Sequence, residues 1–103
     1  AEELVAARQQ DDPLVVDVRN ADAYAKEHIA GAVNFPVAQL VARRGELPDD
    51  RDAPIYTACF LGNMSLKGML VLQSLGYRNV KSVNGGTIGW AKKGLPTDSK
   101  AEG

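Results

Sequence analysis

The chain has 103 residues, which gives room for one domain, and 45% of them are hydrophobic, which is enough for one compact core. The formal net charge is -1, and acidic and basic residues are mixed along the chain, so composition gives no reason to expect a nucleic-acid partner. No apolar stretch is long enough to span a bilayer, and one cysteine with one histidine allows neither an internal disulfide nor a structural zinc site. We therefore expect no bound metal.

The first half of the chain alternates helical and strand patterns. Residues 2–10 predict a helix, because acidic residues open the segment and Arg8 lies near its end, as the helix dipole favours. Residues 14–18 (LVVDV) are apolar and β-branched, which is typical of a buried parallel strand. Three further elements are predicted before the middle of the chain: helical turns over 22–28, a brief strand over 32–34 and a helix over 37–44 opened by Pro36.

The second half repeats the alternation after a polar connection over 45–54. The predicted elements are a strand over 55–58, a helix over 64–75, a strand over 80–83, and a last helix that Gly85-Gly86 opens and that runs through Lys93, with a frayed tail over 97–103. Strands that alternate with helices predict an α/β fold, with a central, mostly parallel sheet flanked by helices on both faces. We expect residues 1–103 to form a single domain.

Cys59 follows a predicted strand and precedes a predicted helix, at the sheet edge where such folds bind ligands. Gly62 permits a backbone conformation that turns successive N–H groups inward, and Asn63 or Ser65 can cap the following helix. A helix N-terminus favours the thiolate form of a cysteine. From the residues alone two interpretations stay open, a reactive thiolate and a small hydrophobic core residue.

The order of several short motifs resembles a single-domain rhodanese, a sulfurtransferase family, over nearly the whole chain. The motifs are Asp17-Val18-Arg19, Glu27-His28-Ile29-Ala30-Gly31-Ala32, Asn34-Phe35-Pro36, Cys59 with Gly62 and Ser65, Leu75-Gly76-Tyr77, Gly85-Gly86 with Trp90, and Gly94-Leu95-Pro96. The resemblance implies the three-layer fold of the family. It also implies that Cys59 accepts a sulfane sulfur as a persulfide and passes it on.

That resemblance assigns the surrounding residues as well. The persulfide cradle would comprise Phe60, Leu61, Gly62, Asn63, Met64 and Ser65, supported by Asp17, Arg19 and Trp90. No cofactor is implied, because the sulfur is bound covalently to the enzyme. The implied partners are a small-molecule or protein sulfur donor and a thiol or cyanide acceptor.

Glu27 and Ala30 depart from the family pattern in the second motif, and two further departures lie in the loop after Cys59. Family members active on thiosulfate usually carry basic side chains in this loop, where this chain has Phe60 and Met64. Each missing cation removes a charge-assisted hydrogen bond of about 1.5–3 kcal/mol. We therefore expect weak thiosulfate use unless Arg19 or Lys67 compensates. An apolar surround suits polysulfide, a low-molecular-weight persulfide or a cysteine on a partner protein.

The remaining candidates have structural interpretations. We expect Asp17 and Arg19 to form a structural ion pair, His28 to be structural and Trp90 to lie in the core. Gly85-Gly86 is expected to make a tight turn, since no G-x-G-x-x-G phosphate-binding motif is present.

Two other functions compete with sulfur transfer. A phosphatase or arsenate reductase of related fold needs an arginine six positions after the cysteine, where this chain has Ser65. A non-catalytic rhodanese-like binding or regulatory module stays open. We expect a cytoplasmic protein, or a periplasmic one if Ala1 follows a cleaved signal peptide.

Overall fold

The computed structural model describes residues 2–60 and 63–99. Within them the α-helices are α1 (Glu2–Gln10), α2 (Ala21–Lys26), α3 (Asn63–Ser74) and α4 (Gly86–Lys92). The strands are β1 (Leu14–Asp17), β2 (His28–Ile29), β3 (Val33–Asn34), β4 (Ile55–Ala58), β5 (Val80–Ser82) and β6 (Thr97–Asp98). Short 3₁₀ helices span Val37–Gln39 and Arg44–Glu46.

The main sheet is parallel and has the strand order β3-β1-β4-β5. Asp17 pairs in register with Ala58 on one side and with Asn34 on the other, and Thr57 pairs with Ser82. The carboxyl ends of all four strands therefore lie at the same edge of the sheet. A separate antiparallel pair joins β2 to β6.

Side chains alternate along the central strands and fill a core on each face of the sheet. One core, beneath α1 and α4, contains the buried residues Leu4, Val15, Ile29, Ala32, Tyr56, Ala58, Val83 and Trp90. The other, beneath α3 and the 3₁₀ segment, contains Val16, Val18, Phe35, Leu40, Leu47, Ile55, Cys59, Leu72, Tyr77 and Val80. Helices thus cover both faces of a mostly parallel sheet, and the predicted α/β fold is confirmed.

The predicted helix over 37–44 is wrong, because the structure has two 3₁₀ turns in this region. Between Val37 and Glu46 only Leu40 is buried. A continuous helix here would lack the packed apolar face that stabilises most protein helices.

Two other predictions are corrected by the small antiparallel sheet. His28 was expected at the end of a helix, but α2 ends at Lys26 and His28 lies in β2. Thr97 and Asp98 were expected in a frayed tail, but they form β6, in which Thr97 pairs with Ile29 and Asp98 with His28. The fully buried Ile29 anchors this pair to the core. Residues 100–103 of that tail lie outside the described residues.

Candidate functional site

The connections of the main sheet diverge between β1 and β4. The chain leaves β1 for β3 on one side, whereas it leaves β4 for β5 on the other. In open parallel sheets such a divergence opens a crevice beyond the carboxyl ends of the two strands, and ligands bind there. Cys59 directly follows β4 at this crevice. We call the segment between β4 and α3, which begins at Cys59, the cysteine loop.

The start of α4 holds the backbone of the cysteine loop. The Thr87 N–H donates to the Cys59 carbonyl at 2.7 Å, and the Ile88 N–H donates to the Phe60 carbonyl at 3.2 Å. Gly86 has a φ of 63°, and a Cβ at this position would lie 2.6 Å from the Cys59 carbonyl oxygen and 2.5 Å from that of Phe60. Only glycine fits this approach. The predicted tight turn at Gly85-Gly86 is therefore present, and it also supports the candidate nucleophile.

The Cys59 side chain is 2% exposed and packs in the core beneath α3. Ser65 is fully buried in the first part of α3, where its hydroxyl lies 2.5 Å from that of Ser82 and its carbonyl accepts from the Thr57 hydroxyl at 2.8 Å. Ser65 thus connects α3 to β4 and β5. The predicted cradle residues Leu61 and Gly62 lie outside the described residues, and Asn63 is described only as the first residue of α3.

Phe60 and Met64 flank the site and are about half exposed, at 52% and 47%. Phe60 lines a groove of about 660 Å³ between α2 and α4, which we call the α2–α4 groove. Met64 lines a second groove of about 510 Å³ beside Val37 and Lys67, which we call the α3 groove. Asn20 lines both grooves, so both open from the region where β1 ends.

Asp17 and Arg19 form the predicted ion pair. Arg19 Nε donates to Asp17 Oδ1 at 3.0 Å, and Arg19 Nη2 donates to Asp17 Oδ2 at 2.7 Å. Arg19 is 8% exposed and Asp17 is 0% exposed. Nη2 also donates to the Glu27 carbonyl at 2.6 Å. With these bonds made, the guanidinium fixes the end of β1 against β2, and its charge is balanced by Asp17.

Asn34 and Asn20 shape the crevice in ways that the sequence assignment did not include. Asn34 Nδ2 donates to the carbonyls of Asp17 at 3.0 Å and Arg19 at 2.9 Å, which fixes the chain as it leaves β1. Asn20 caps α2 by accepting from the Ala23 N–H at 2.9 Å. The available signals in the sequence were the position of Asn34 at the end of a strand and that of Asn20 just before a helix.

His28 and Trp90 are structural residues. His28 is 4% exposed and stacks on the Tyr24 ring with 3.7 Å between centroids, while its Nδ1 donates to the Tyr24 carbonyl at 2.6 Å. Trp90 is 2% exposed in the core beneath α4, and its Nε1 donates to the Pro96 carbonyl at 2.6 Å. Trp90 lines neither groove, so its predicted place in the core is confirmed.

Among residues 2–60 and 63–99, no group of three or more His, Cys, Asp or Glu side chains is placed to hold a metal ion. No helix in the same part of the chain has both the length and the apolar character needed to cross a membrane.

Comparisons with known proteins agree with this architecture. A family model described as "Rhodanese-like domain" matches residues 1–93. The chain is 37% identical over 86 residues to a protein named "Sulfurtransferase" from Allochromatium vinosum, with 84% of this chain and 78% of that protein covered. It is 35% identical over 99 residues to the HTH-type transcriptional regulator Rv0324 of Mycobacterium tuberculosis, with 96% of this chain but 43% of the regulator covered.

A solved structure shows the same fold. It is described as thiosulfate sulfurtransferase from Pseudomonas aeruginosa, and it superposes with a TM-score of 0.86 at 26% identity over 95% of this chain and 19% of that one. This chain thus spans less than half of the regulator and a fifth of the solved enzyme. The family match, the sequence likeness and the shared fold together show that the chain belongs to the family of rhodanese-like domains.

Proposed function

We propose that the protein is a sulfurtransferase that moves a sulfane sulfur through a persulfide on Cys59. The observation that carries this proposal is the position of Cys59, which directly follows β4 at the crevice between diverging connections and has its carbonyl held by α4. Membership in a family with a relative named sulfurtransferase supports the reaction class.

The proposed reaction has two displacement steps. The Cys59 thiolate attacks the sulfane sulfur of the donor, the bond between that sulfur and the rest of the donor breaks, and the donor remnant leaves with the electron pair. A thiolate or cyanide acceptor then attacks the outer sulfur of the persulfide and releases the Cys59 thiolate. Both steps balance without an external oxidant or reductant. Backbone N–H groups of the cysteine loop would stabilise the persulfide anion.

The side chains around the site favour a donor with little charge. Phe60 and Met64 are exposed apolar residues at the positions where a dianion would need cations. Arg19 is bound by Asp17 and the Glu27 carbonyl, and Lys67 lies in the α3 groove. We therefore propose that thiosulfate is a poor donor and that polysulfide or an organic persulfide is a better one.

The burial of Cys59 also limits the donor. At 2% exposure, the thiol is accessible only to a narrow reactive group. The sulfur that reacts in a persulfide, a polysulfide or thiosulfate is a single terminal atom, so each of these donors can present it to a recessed thiolate. Burial therefore restricts the reacting group, and the donor preference rests on the missing cations.

The test compares donors and a matched variant. Purified protein is given polysulfide or thiosulfate with cyanide as acceptor, and thiocyanate is measured. We expect faster turnover with polysulfide than with thiosulfate, and none above background for Cys59→Ser. Transfer by Cys59→Ser at the wild-type rate would refute a persulfide on Cys59, and fast turnover with thiosulfate would refute the proposed donor preference.

A non-catalytic binding or regulatory module is the second candidate function. The near-complete burial of Cys59 favours it, because reactive cysteines are usually partly exposed. A relative named as a transcriptional regulator is also compatible with a domain that signals by binding. This alternative predicts that Cys59 gains no sulfur from any donor.

A further inference from the structure

The α2–α4 groove is lined by two short helices that present the same spacing of residues. From α2 and the residue after it come positions 22, 23, 26 and 27, and from α4 come positions 87, 88, 91 and 92. Phe60 of the cysteine loop is part of the same lining. At about 660 Å³, the groove has the volume of a small-molecule site. Cys59 is not part of this lining, and the groove adjoins the cysteine loop through Phe60 and Thr87.

Thr87, a residue of this lining, has a buried side-chain hydroxyl without a hydrogen-bond partner among the described residues. The residue is 2% exposed. A buried hydroxyl without a partner is costly and uncommon in native structures. The Thr87 N–H donates to the Cys59 carbonyl, so this hydroxyl lies beside the cysteine loop.

Apart from Arg19, which is paired with Asp17, the charged residues of the lining are two lysines and two acidic residues, of which Glu27 accepts a hydrogen bond from the Thr97 hydroxyl. Lys26 and Lys92 make no salt bridge within the described part of the chain, and neither does Asp22. The neighbouring Lys93, outside the groove, is instead paired with Glu2. A ligand that matches this lining carries carboxylates that bind Lys26 and Lys92 and an ammonium group that binds Asp22.

We propose, on the basis of the proposed sulfurtransferase function, that the α2–α4 groove binds the carrier part of an amino-acid or short-peptide persulfide. Lys26 and Lys92 would bind its carboxylates, Ile88 and Phe60 would contact its carbon chain, and the Thr87 hydroxyl would pair with one of its polar groups. The carrier is a thiol RSH, and the donor is RSSH. Cys59 thiolate attacks the outer sulfur, Cys59 becomes the persulfide, and RS⁻ leaves with the electron pair of the broken S–S bond.

The kinetic test uses two donors that differ in the carrier. Glutathione persulfide has carboxylates and an ammonium group, whereas inorganic polysulfide has neither. For the double variant Lys26→Gln/Lys92→Gln, kcat/KM with glutathione persulfide should fall about tenfold or more, since the loss of one charge-assisted contact already corresponds to tenfold. The loss with polysulfide should be smaller, because polysulfide has no carboxylates for these lysines to bind. The matched control is Lys93→Gln, which should behave as wild type with both donors.

A binding test does not depend on reaction at Cys59. S-methylglutathione, an unreactive analogue, is titrated into labelled protein and amide shifts are followed by NMR. We expect shifts at Lys26, Thr87 and Lys92, and weaker binding by the double variant. Thr87→Val should also bind the analogue less tightly without losing thermal stability, because it removes an unpaired hydroxyl and keeps the side-chain shape.

These measurements separate the two proposals. Binding in the groove without any sulfur transfer would refute the sulfurtransferase function and with it the role of the groove as a donor site. Transfer from glutathione persulfide that is unaffected by Lys26→Gln/Lys92→Gln, or the absence of shifts at the groove, would overturn the groove assignment while leaving the persulfide on Cys59 in place.

Discussion

At the scale of single residues, the environment of Cys59 is set by backbone contacts. The Cys59 and Phe60 carbonyls accept from the first N–H groups of α4, and Gly86 allows the two segments to approach. The thiol itself is buried in the core. The chemistry proposed for Cys59 therefore depends on a glycine that is 27 positions further along the chain.

Gly86→Ala tests this contact. A new Cβ would lie 2.5 Å from the Phe60 carbonyl oxygen, so the cysteine loop or α4 must move. We expect the free energy of unfolding to fall by about 1–3 kcal/mol more than for Gly85→Ala, because of overpacking. Gly85→Ala is the matched control, since it also has a positive φ but its Cβ would meet only an ordinary 3.5 Å contact. If urea titrations gave the same loss of unfolding free energy for both variants, the contact between position 86 and the cysteine loop would not restrict the side chain at that position.

Met64→Arg tests the explanation for the donor preference. Restoring a cation beside the cysteine loop should raise kcat/KM for thiosulfate at least about tenfold, which corresponds to one charge-assisted hydrogen bond. Leu66→Arg adds the same charge at a similarly exposed position on α3 that lines neither groove, and should leave the rate unchanged. Equal rates for Met64→Arg and wild type would mean that charge at this position does not limit thiosulfate use.

At the scale of elements, the end of β1 is held by a buried ion pair whereas other ion pairs lie on the surface. Asp17 and Arg19 have side-chain exposures of 0% and 9%, and those of Asp52 and Arg78 are 67% and 66%. Both pairs are bidentate, so burial is the main difference between them. Removing one partner of a buried pair leaves an uncompensated charge.

Arg19→Met should therefore lower the free energy of unfolding by about 3–5 kcal/mol, because it leaves Asp17 buried without its cation. The control is Arg78→Met, which breaks an exposed pair and should change stability little. Denaturant titrations of both variants measure the difference. A small effect for Arg19→Met would show that the pair does not hold the end of β1.

The elements that local pattern predicts well have a clear local signal, namely charges of opposite sign at the two ends of α1, a short apolar run in β4 and repeated apolar positions along α3. The strand over 55–58 has the predicted bounds, and α1 and α3 fall within one residue of prediction. The two-residue strands β2 and β6 were not predicted, because their pairing joins segments about 70 positions apart and no local periodicity records it. The 3₁₀ turns replaced the predicted helix in a segment where little is buried and where the β-branched Val37 and Val41 lower helix propensity.

At the scale of the whole molecule, strand order creates the candidate site. Alternating elements predict a parallel sheet, but not the order β3-β1-β4-β5 that places β1 beside β4 and opens the crevice. Cys59 could be found from the sequence because a strand, a loop and a helix meet there. Lys26, Thr87 and Lys92 could not, since only the folded chain brings α2 and α4 to the same groove.

The central claim is that Cys59 carries a sulfane sulfur. The most direct measurement is mass spectrometry of the intact protein after incubation with polysulfide or glutathione persulfide, followed by peptide mapping. We predict an adduct of one sulfur atom on Cys59 that cyanide removes and that Cys59→Ser does not form. A protein that gains no sulfur from either donor, or gains it equally in Cys59→Ser, would contradict the account and favour the binding module.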